Sequence, residues 1–483
     1  MTGTSTIKKS MYNVAYKGVN ILYPLITSAY ISRILMAKGV GDVAFAINIV
    51  SYFIIAASLG IPNYAIKAIA GIRDDMNKRN RVFSELASIV SVSSVAATML
   101  YFMAVTNVSS IKSDNILINI ILGFALISNA VNYDWLFEAM EDYRYIAVRT
   151  TVIKLISLLF LILFVKKTDD IIIYIAIYSF TLTASNICNG IASRKYVRFS
   201  LKNLNVKQHL KAVFILFAAS CATDVYTLLD STMLGIMCPS EYLGYYSNST
   251  KIVRAVYGMI IAATTIYFPR LSNLYATGKK QEYDSCLKRC YNISMLLAIP
   301  TAVGMIMTAG WFIPIIFGSD FKAAAFTTQL LSVLVIVFSI ATVFGHISLI
   351  IYGKEKNILI ATIVGAVINF TLNYILIPVC AQNGAAIASL IGELAVTVIL
   401  VVSSLRSVYV NLLNKDILKV IFAAMLMLGF LSAVKLLADS GNIITLIIAV
   451  AGGIAVYAAA ILTVKNSEAM LLINIIRRRI KRQ

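Results

Sequence analysis

The chain is predicted to be an all-α polytopic membrane protein with about fourteen transmembrane helices, built as two six-helix lobes in a parallel pseudo-repeat plus two C-terminal helices. Three observations predict this. Of its 483 residues 59% are hydrophobic and the mean hydropathy is +0.84, which leaves far too little polar surface for a soluble protein of this length. Apolar stretches recur at roughly 20–28 residues, about what one helix needs to cross a ~30 Å hydrocarbon core. Finally, positive charge gathers in every second connection between them. Helices are the structure these stretches require, because each buried amide must find its partner inside its own segment.

The spans are expected at 11–35, 43–66, 83–106, 115–137, 146–165, 171–193, 210–238, 242–268, 290–317, 323–351, 357–379, 384–405, 417–438 and 442–464. The first follows Lys8 and Lys9 but is too long for the core of a signal peptide, and no A-x-A-like cleavage site follows it. Gly39-Val40-Gly41 is expected to form a short turn before the second span and does not begin a dinucleotide fingerprint. Pro24, Pro300 and Pro314 lie inside spans and are expected to bend or break their helices, with Pro24 a candidate hinge.

The net charge of +20 would suggest nucleic acid in a soluble chain. Here about 31 of the 42 Lys and Arg fall in alternate connections and about six in the other set. That is the positive-inside pattern, and it places both termini in the cytoplasm and excludes nucleic acid as a partner. The tail Arg477-Arg478-Arg479-Ile480-Lys481-Arg482 is expected to lie on anionic lipid. Of the six cysteines, Cys286 and Cys290 share a helix face, but His209 and His346 are too remote in sequence to complete a metal site with them.

The longest basic connection, Arg194 to Lys211, divides the chain after six spans. Gly41-Asp42-Val43-Ala44-Phe45-Ala46-Ile47-Asn48 opens the second span as Glu241-Tyr242-Leu243-Gly244-Tyr245-Tyr246-Ser247-Asn248 opens the eighth. Glu141-Asp142-Tyr143-Arg144-Tyr145 likewise leads into the fifth as Gly353-Lys354-Glu355-Lys356-Asn357 leads into the eleventh. Six intervening spans give both halves the same orientation, as parallel repeats with a substrate site at their interface. The expected organisation is a cytoplasmic N-tail (1–10), an N-terminal lobe (11–193), a basic linker (194–209), a C-terminal lobe (210–405), two further helices (406–464) and a basic cytoplasmic tail (465–483).

The chain shows no nucleophile elbow, no Walker loop and no His-rich metal motif, so the expectation is a protein that is not an enzyme and carries no cofactor. Charge inside the bilayer is the chemistry that stands out. A charged group at mid-depth costs at least ~2.5–3.5 kcal/mol, so it faces a bundle interior or a wet cavity. The cations are Lys17 and Arg33 in the first span, Lys154 in the fifth, and Lys251 with Arg254 in the eighth. Lys251 and Arg254 are three apart on one helix face. Arg254 lies about twelve residues from the outer end, or ~18 Å, whereas Lys17 and Arg33 are near the ends of their span and can snorkel. Such a set either pairs with acids between helices or meets an anionic substrate such as a diphosphate. The acids are Asp134, Glu138, Asp224, Asp230 and Glu393. Asp134 and Glu138 suit a salt bridge at the inner mouth. Asp224, Asp230 and Glu393 either pair structurally or couple transport to H⁺ or Na⁺. Tyr226 and Tyr257, within spans, are packing residues or platforms for sugar rings.

Arg33, Asp230 and Lys251 sit within runs that resemble the polysaccharide repeat-unit flippases of the Wzx type, in the multidrug/oligosaccharidyl-lipid/polysaccharide exporter superfamily. The runs include Tyr30-Ile31-Ser32-Arg33-Ile34-Leu35, Leu59-Gly60-Ile61-Pro62-Asn63-Tyr64 and Leu229-Asp230-Ser231-Thr232-Met233-Leu234-Gly235. Leu243-Gly244-Tyr245-Tyr246 with Lys251-Ile252, Pro269-Arg270-Leu271-Ser272 and Phe317-Gly318-Ser319-Asp320-Phe321 follow. Asn369-Phe370-Thr371-Leu372-Asn373-Tyr374-Ile375-Leu376-Ile377-Pro378 with Gly384-Ala385-Ala386 completes the set, which covers essentially the whole chain. One departure stands at Met36-Ala37-Lys38, where the family commonly has a glycine after the leucine.

The resemblance implies two six-helix lobes around a central cavity in the bacterial cytoplasmic membrane. It implies export of an undecaprenyl-diphosphate-linked oligosaccharide to the outer leaflet for capsule, O-antigen or exopolysaccharide synthesis, beside membrane lipids and with a polymerase and other assembly proteins as partners. It also implies that Arg33 and Lys251 hold the diphosphate. Two alternatives share the fold: a flippase for the lipid-linked peptidoglycan precursor and a cation-coupled multidrug antiporter.

Overall fold

A computed structural model of the chain describes residues 3–108, 111, 115–202, 204–438, 442–471 and 473, with the side chains of residues 3–17, 219 and 222 outside that description. Helices dominate, in the order α1 (Gly3–Ser58), α2 (Ile61–Ala70), α3 (Met76–Asn107), α4 (Ile116–Ser128), α5 (Asp134–Ala139), α6 (Tyr143–Phe164), α7 (Ile171–Ala192) and α8 (Lys207–Met237). Then come α9 (Ser240–Thr264), α10 (Phe268–Ala276), α11 (Lys280–Phe317), α12 (Ala324–Ser332), α13 (Leu334–Ala341), α14 (Glu355–Leu405), α15 (Lys415–Leu437) and α16 (Ile443–Thr463). Eleven helical segments are long and apolar enough to cross a membrane, and a twelfth, α8, is bent by 47° between Ala218 and Thr223. Two of the eleven each join two helices across a kink, α1 at Met36 and α14 at Ala381, and counting each half separately gives fourteen helical stretches among the described residues.

Those breaks correct the expected turn at Gly39-Val40-Gly41. The helix is broken by a kink at Met36, with φ 59 and ψ −179, and Gly39 to Gly41 are already helical. The glycine serves packing instead: a Cβ on Gly41 would lie 1.7 Å from the Ser240 carbonyl oxygen, and one on Gly244 would lie 2.2 Å from that of Ala37. Small residues of this kind let two backbones approach where a side chain would hold them apart. The prolines do not break their helices. The chain stays helical through Pro24, Pro300 and Pro314, and in the first of these turns the Thr27 hydroxyl donates to the carbonyls of Tyr23 and Pro24. Fixed φ near −65° is compatible with helical backbone, and membrane-spanning helices tolerate proline. The second span also ends earlier than expected, at Ser58; Leu59 and Gly60 take positive φ, and α2 starts afresh with proline in its first turn.

Contacts divide the chain into two compact units, Met1–Gly244 and Tyr245–Gln483. In the first, α2, α3 and α5 enclose an apolar core around Ile61, Phe83, Leu86, Trp135 and Val213, with α8 packed on α1 and α2. In the second, α15 and α16 pack on α11, with Leu296, Trp311, Val420, Met427 and Leu431 buried between them. Residues 342–349, after α13, form a wide π-helical turn that carries His346.

Candidate functional site

In the first unit the charged side chains within the spans fall into two kinds. Arg149 of α6 is buried and bonded on several sides: its guanidinium donates to Asp134 at 2.7 Å and also to the Asn189 side chain, which in turn donates to Asp134 at 3.1 Å. This cluster joins α5, α6 and α7 near their lysine- and arginine-rich ends and accounts for Asp134. Lys154, five residues further along α6, has no acidic partner among the described residues. Its ammonium donates to the Asn20 side chain and lies 5.0 Å from the centre of the Tyr23 ring. The Tyr23 hydroxyl meets Ser157 at 2.7 Å, and Thr181 donates to Ser157 at 2.8 Å. Lys154 is thus held in place by neutral groups that leave its charge unneutralised. The side chain of Lys17 lies outside the described residues.

Arg33 lies one turn before the break at Met36, with an exposed side chain. Asp224 and Asp230 are half-buried on the segment of α8 beyond its bend. On the same helix Thr232 accepts from Asn48 at 2.6 Å and meets the Tyr52 hydroxyl at 2.7 Å, which ties α8 to α1.

A second polar cluster closes the basic end of this unit. Glu85 of α3 is fully buried. It accepts the Asn205 N–H at 2.7 Å, Gln208 Nε2 at 2.8 Å and Arg81 Nε at 3.1 Å, and its other contact is His209 Nε2 at 2.8 Å. His209 Nδ1 meets the Tyr64 hydroxyl at 2.8 Å. Arg79 donates to the Tyr196 carbonyl, Asn80 accepts the Arg198 N–H at 2.9 Å, and Ser84 accepts the Ser200 N–H at 3.0 Å. The start of α3 therefore holds the following connection at Tyr196, Arg198, Ser200, Asn205, Gln208 and His209.

In the second unit Lys251 is half-buried on α9 and Arg254, one turn on, is exposed. No ion pair or hydrogen bond engages the Arg254 guanidinium among the described residues. The Tyr257 hydroxyl bonds Thr342 at 2.6 Å at the start of the π-helical turn, and Glu393 of α14 is half-buried. Cys286 and Cys290 are buried, and the described residues contain no group of three metal-ligating side chains.

Arg149 and Glu85 are the charged residues that sequence reasoning missed. Both stand close to basic connections, and their partners lie 40 and 124 positions away in Asn189 and His209. Polar Asn80, Ser84 and Glu85, about one turn apart where the third span begins, were the local signal available in the sequence.

Outside the spans, Asp142 caps α6. Burial alone would push its carboxyl up, but the Tyr196 hydroxyl at 2.6 Å, the Tyr145 N–H at 3.2 Å and Lys195 at 3.3 Å together bring it below the usual carboxylate range. Asp170 is held low by the backbone N–H groups of Lys166 and Lys167.

Comparison with known proteins adds a family. A family model described as polysaccharide biosynthesis protein matches residues 6–275. A protein of Shigella dysenteriae named as an O-antigen transporter is 25% identical over 389 residues, 78% of this chain and 95% of its own. Another so named, from Escherichia coli K12, is 22% identical over 80% of this chain and 94% of its own. A Haloferax volcanii protein named as a low-salt glycan biosynthesis flippase is 26% identical over 52% of this chain and 53% of its own. Among solved structures, an inward-closed lipid II flippase, MurJ, superposes with a TM-score of 0.74 over 94% of this chain and 98% of that one, at 15% identity. An inward-facing multidrug transporter of the MATE family gives 0.62 over 79% and 93%, at 14% identity.

Proposed function

The chain belongs to the polysaccharide biosynthesis protein family, and from that premise we propose that it is a flippase for lipid-linked oligosaccharide repeat units. It would carry undecaprenyl-diphosphate-linked units from the inner to the outer leaflet of the bacterial cytoplasmic membrane by alternating access, with both termini cytoplasmic. Its helices would work as two six-helix lobes and two C-terminal helices, it would catalyse no covalent chemistry, and a polymerase would receive the units outside.

The observation that carries the reading is the contrast among the intramembrane cations. Arg149 is neutralised by Asp134, whereas Lys154 is held by Asn20 and Tyr23, and Arg254 is exposed without an acidic partner among the described residues. A cation left unneutralised at depth is costly unless water or an anion meets it. A diphosphate crossing the membrane needs such groups, because moving its charge into an apolar medium unaided would be prohibitive. Arg33, Lys251 and Lys17 complete the proposed diphosphate path, with Asp224, Asp230 and Glu393 as the acids through which H⁺ or Na⁺ would couple. The relatives named as O-antigen transporters support this substrate class over the multidrug and peptidoglycan-precursor alternatives, which share only the fold.

The test is sidedness. In cells lacking the protein, lipid-linked repeat units should accumulate and stay sealed from an external probe. Arg254→Ala and Lys251→Ala should fail to restore labelling at wild-type membrane abundance. Units that reach the outer face without the protein, or full transport by both variants, would overturn the reading.

A further inference from the structure

A groove of about 710 Å³ opens at the basic end of the first unit, between the end of α4 and the end of α7. Its floor is apolar, with Phe83 and Tyr133 stacked edge to face at 4.9 Å. Its rim carries two cations, Arg194 and Arg198, and no carboxylate lines it. Neither guanidinium has an ion-pair partner among the described residues, and both side chains are exposed. This sets it apart from the smaller cavity on the other side of α7, where Asp142 stands among Arg144, Arg149 and Lys195.

Two further features give the groove a direction. Ile173, Phe180, Ile187 and Ile191 are exposed at spacings of seven, seven and four along α7, so they form one apolar stripe on one face of that helix. In a membrane-spanning helix such a stripe faces acyl chains, and its last two members, 49% and 64% exposed, line the groove beneath the arginines. The backbone that carries the arginines is also fixed. Tyr196 O is bonded by Arg79, the Arg198 N–H by Asn80, the Ser200 N–H by Ser84, and Val197 is buried. Two exposed guanidinium groups over one apolar floor suit an amphipathic anion, whose headgroup can take charge-assisted hydrogen bonds while its apolar part covers the floor.

We propose that this groove binds one anionic phospholipid of the surrounding bilayer, with its phosphate at Arg194 and Arg198 and an acyl chain along Ile187 and Ile191. Basic pockets between transmembrane helices at the level of the headgroups recognise lipids by this chemistry. The inference stands on the groove alone and is independent of the flippase reading.

The test is binding to the purified, delipidated full-length protein, titrated with phosphatidylglycerol or with phosphatidylcholine of identical chains and read by native mass spectrometry. Phosphatidylglycerol should bind preferentially at one site. Arg194→Ala with Arg198→Ala should weaken that binding about thirtyfold, a factor of about five for each cation beside an anionic headgroup. The Lys pair at the same positions should keep most of it. Lys166→Ala with Lys167→Ala, in the connection at the opposite end of α7, should leave it unchanged. If the double Ala variant does not elute as folded protein, each single Ala variant decides, with an expected loss of about fivefold. Equal affinity for both lipids, wild-type affinity in the Ala variants, or displacement of the lipid by inorganic phosphate at similar concentration would each overturn the proposal. So would recovery of a polyprenyl diphosphate at the site in place of a phospholipid.

Discussion

Lys154 and Arg149 sit on one helix, five residues apart, and replacing each with methionine should move stability in different ways. Methionine keeps much of the apolar stem of either side chain and removes the charge. For Lys154 the burden of a cation inside the membrane is about 2.5–3.5 kcal/mol. Against it stand a charge-assisted hydrogen bond to Asn20, worth about 1.5–3 kcal/mol, and the Tyr23 ring at 5.0 Å, worth about 0.5–2 kcal/mol. These nearly cancel, so Lys154→Met should change stability by no more than about 1 kcal/mol. Arg149→Met leaves Asp134 without its ion-pair partner. Breaking such a pair costs about 3–5 kcal/mol when both groups are buried, and Asp134 keeps 38% of its side chain exposed, so the expected loss is toward the lower end of that range. Both variants would be followed by thermal unfolding in one detergent and by external labelling of lipid-linked oligosaccharide in cells. Lys154→Met should unfold near the wild-type temperature while transport falls about tenfold or more, and Arg149→Met should unfold lower, with transport following abundance. Equal destabilisation by both, with transport tracking abundance in each, would refute the division into functional and structural cations.

Three further outcomes are expected. Met36→Gly should stabilise the fold by about 1 kcal/mol and so raise the unfolding temperature, since φ 59 with ψ −179 is a region that glycine alone enters freely; an unchanged temperature would mean the break is unstrained. Gly41→Ala places a Cβ 1.7 Å from the Ser240 carbonyl oxygen, so folded protein recovered on size-exclusion should fall sharply, while Gly429→Ala, with open space around it, should be tolerated. Asp142→Asn should be destabilising at neutral pH. Because its folded carboxyl is depressed, the stability Asp142 contributes is present above the unfolded carboxylate range and fades as pH falls through the folded value, so wild type and variant should converge in acid on a denaturation–pH curve.

The helices were legible because membrane crossing is a local property: about twenty apolar residues announce themselves wherever they occur. Even the break inside α14 showed, between the apolar runs on either side of Ala381. The break at Met36 falls directly after the expected end of the first span at 35, but the turn was expected at Gly39 to Gly41, which are helical, and Gly41 lies against Ser240, two hundred positions on. The charged clusters divide in the same way. Lys154 and Arg254 stand out as cations amid apolar sequence, but nothing near Glu85 tells that it accepts from Asn205 and Gln208, or that Arg149 belongs to Asp134 and Asn189. Long-range pairing leaves no periodic trace.

The pinned connection from Tyr196 to His209 bears on how the chain is made. When α3 enters the membrane, Glu85 has Arg81 within its own helix, but Asn205, Gln208 and His209 are still more than a hundred residues from synthesis. Until they emerge, the carboxylate must stay hydrated, so the basic end of the first unit cannot seal. Six inserted helices are therefore an unfinished intermediate, and the start of α8 is the piece that closes it. A chain ending just after α7 would stay open to water at Glu85, and one whose residues 205–209 have left the ribosome would not.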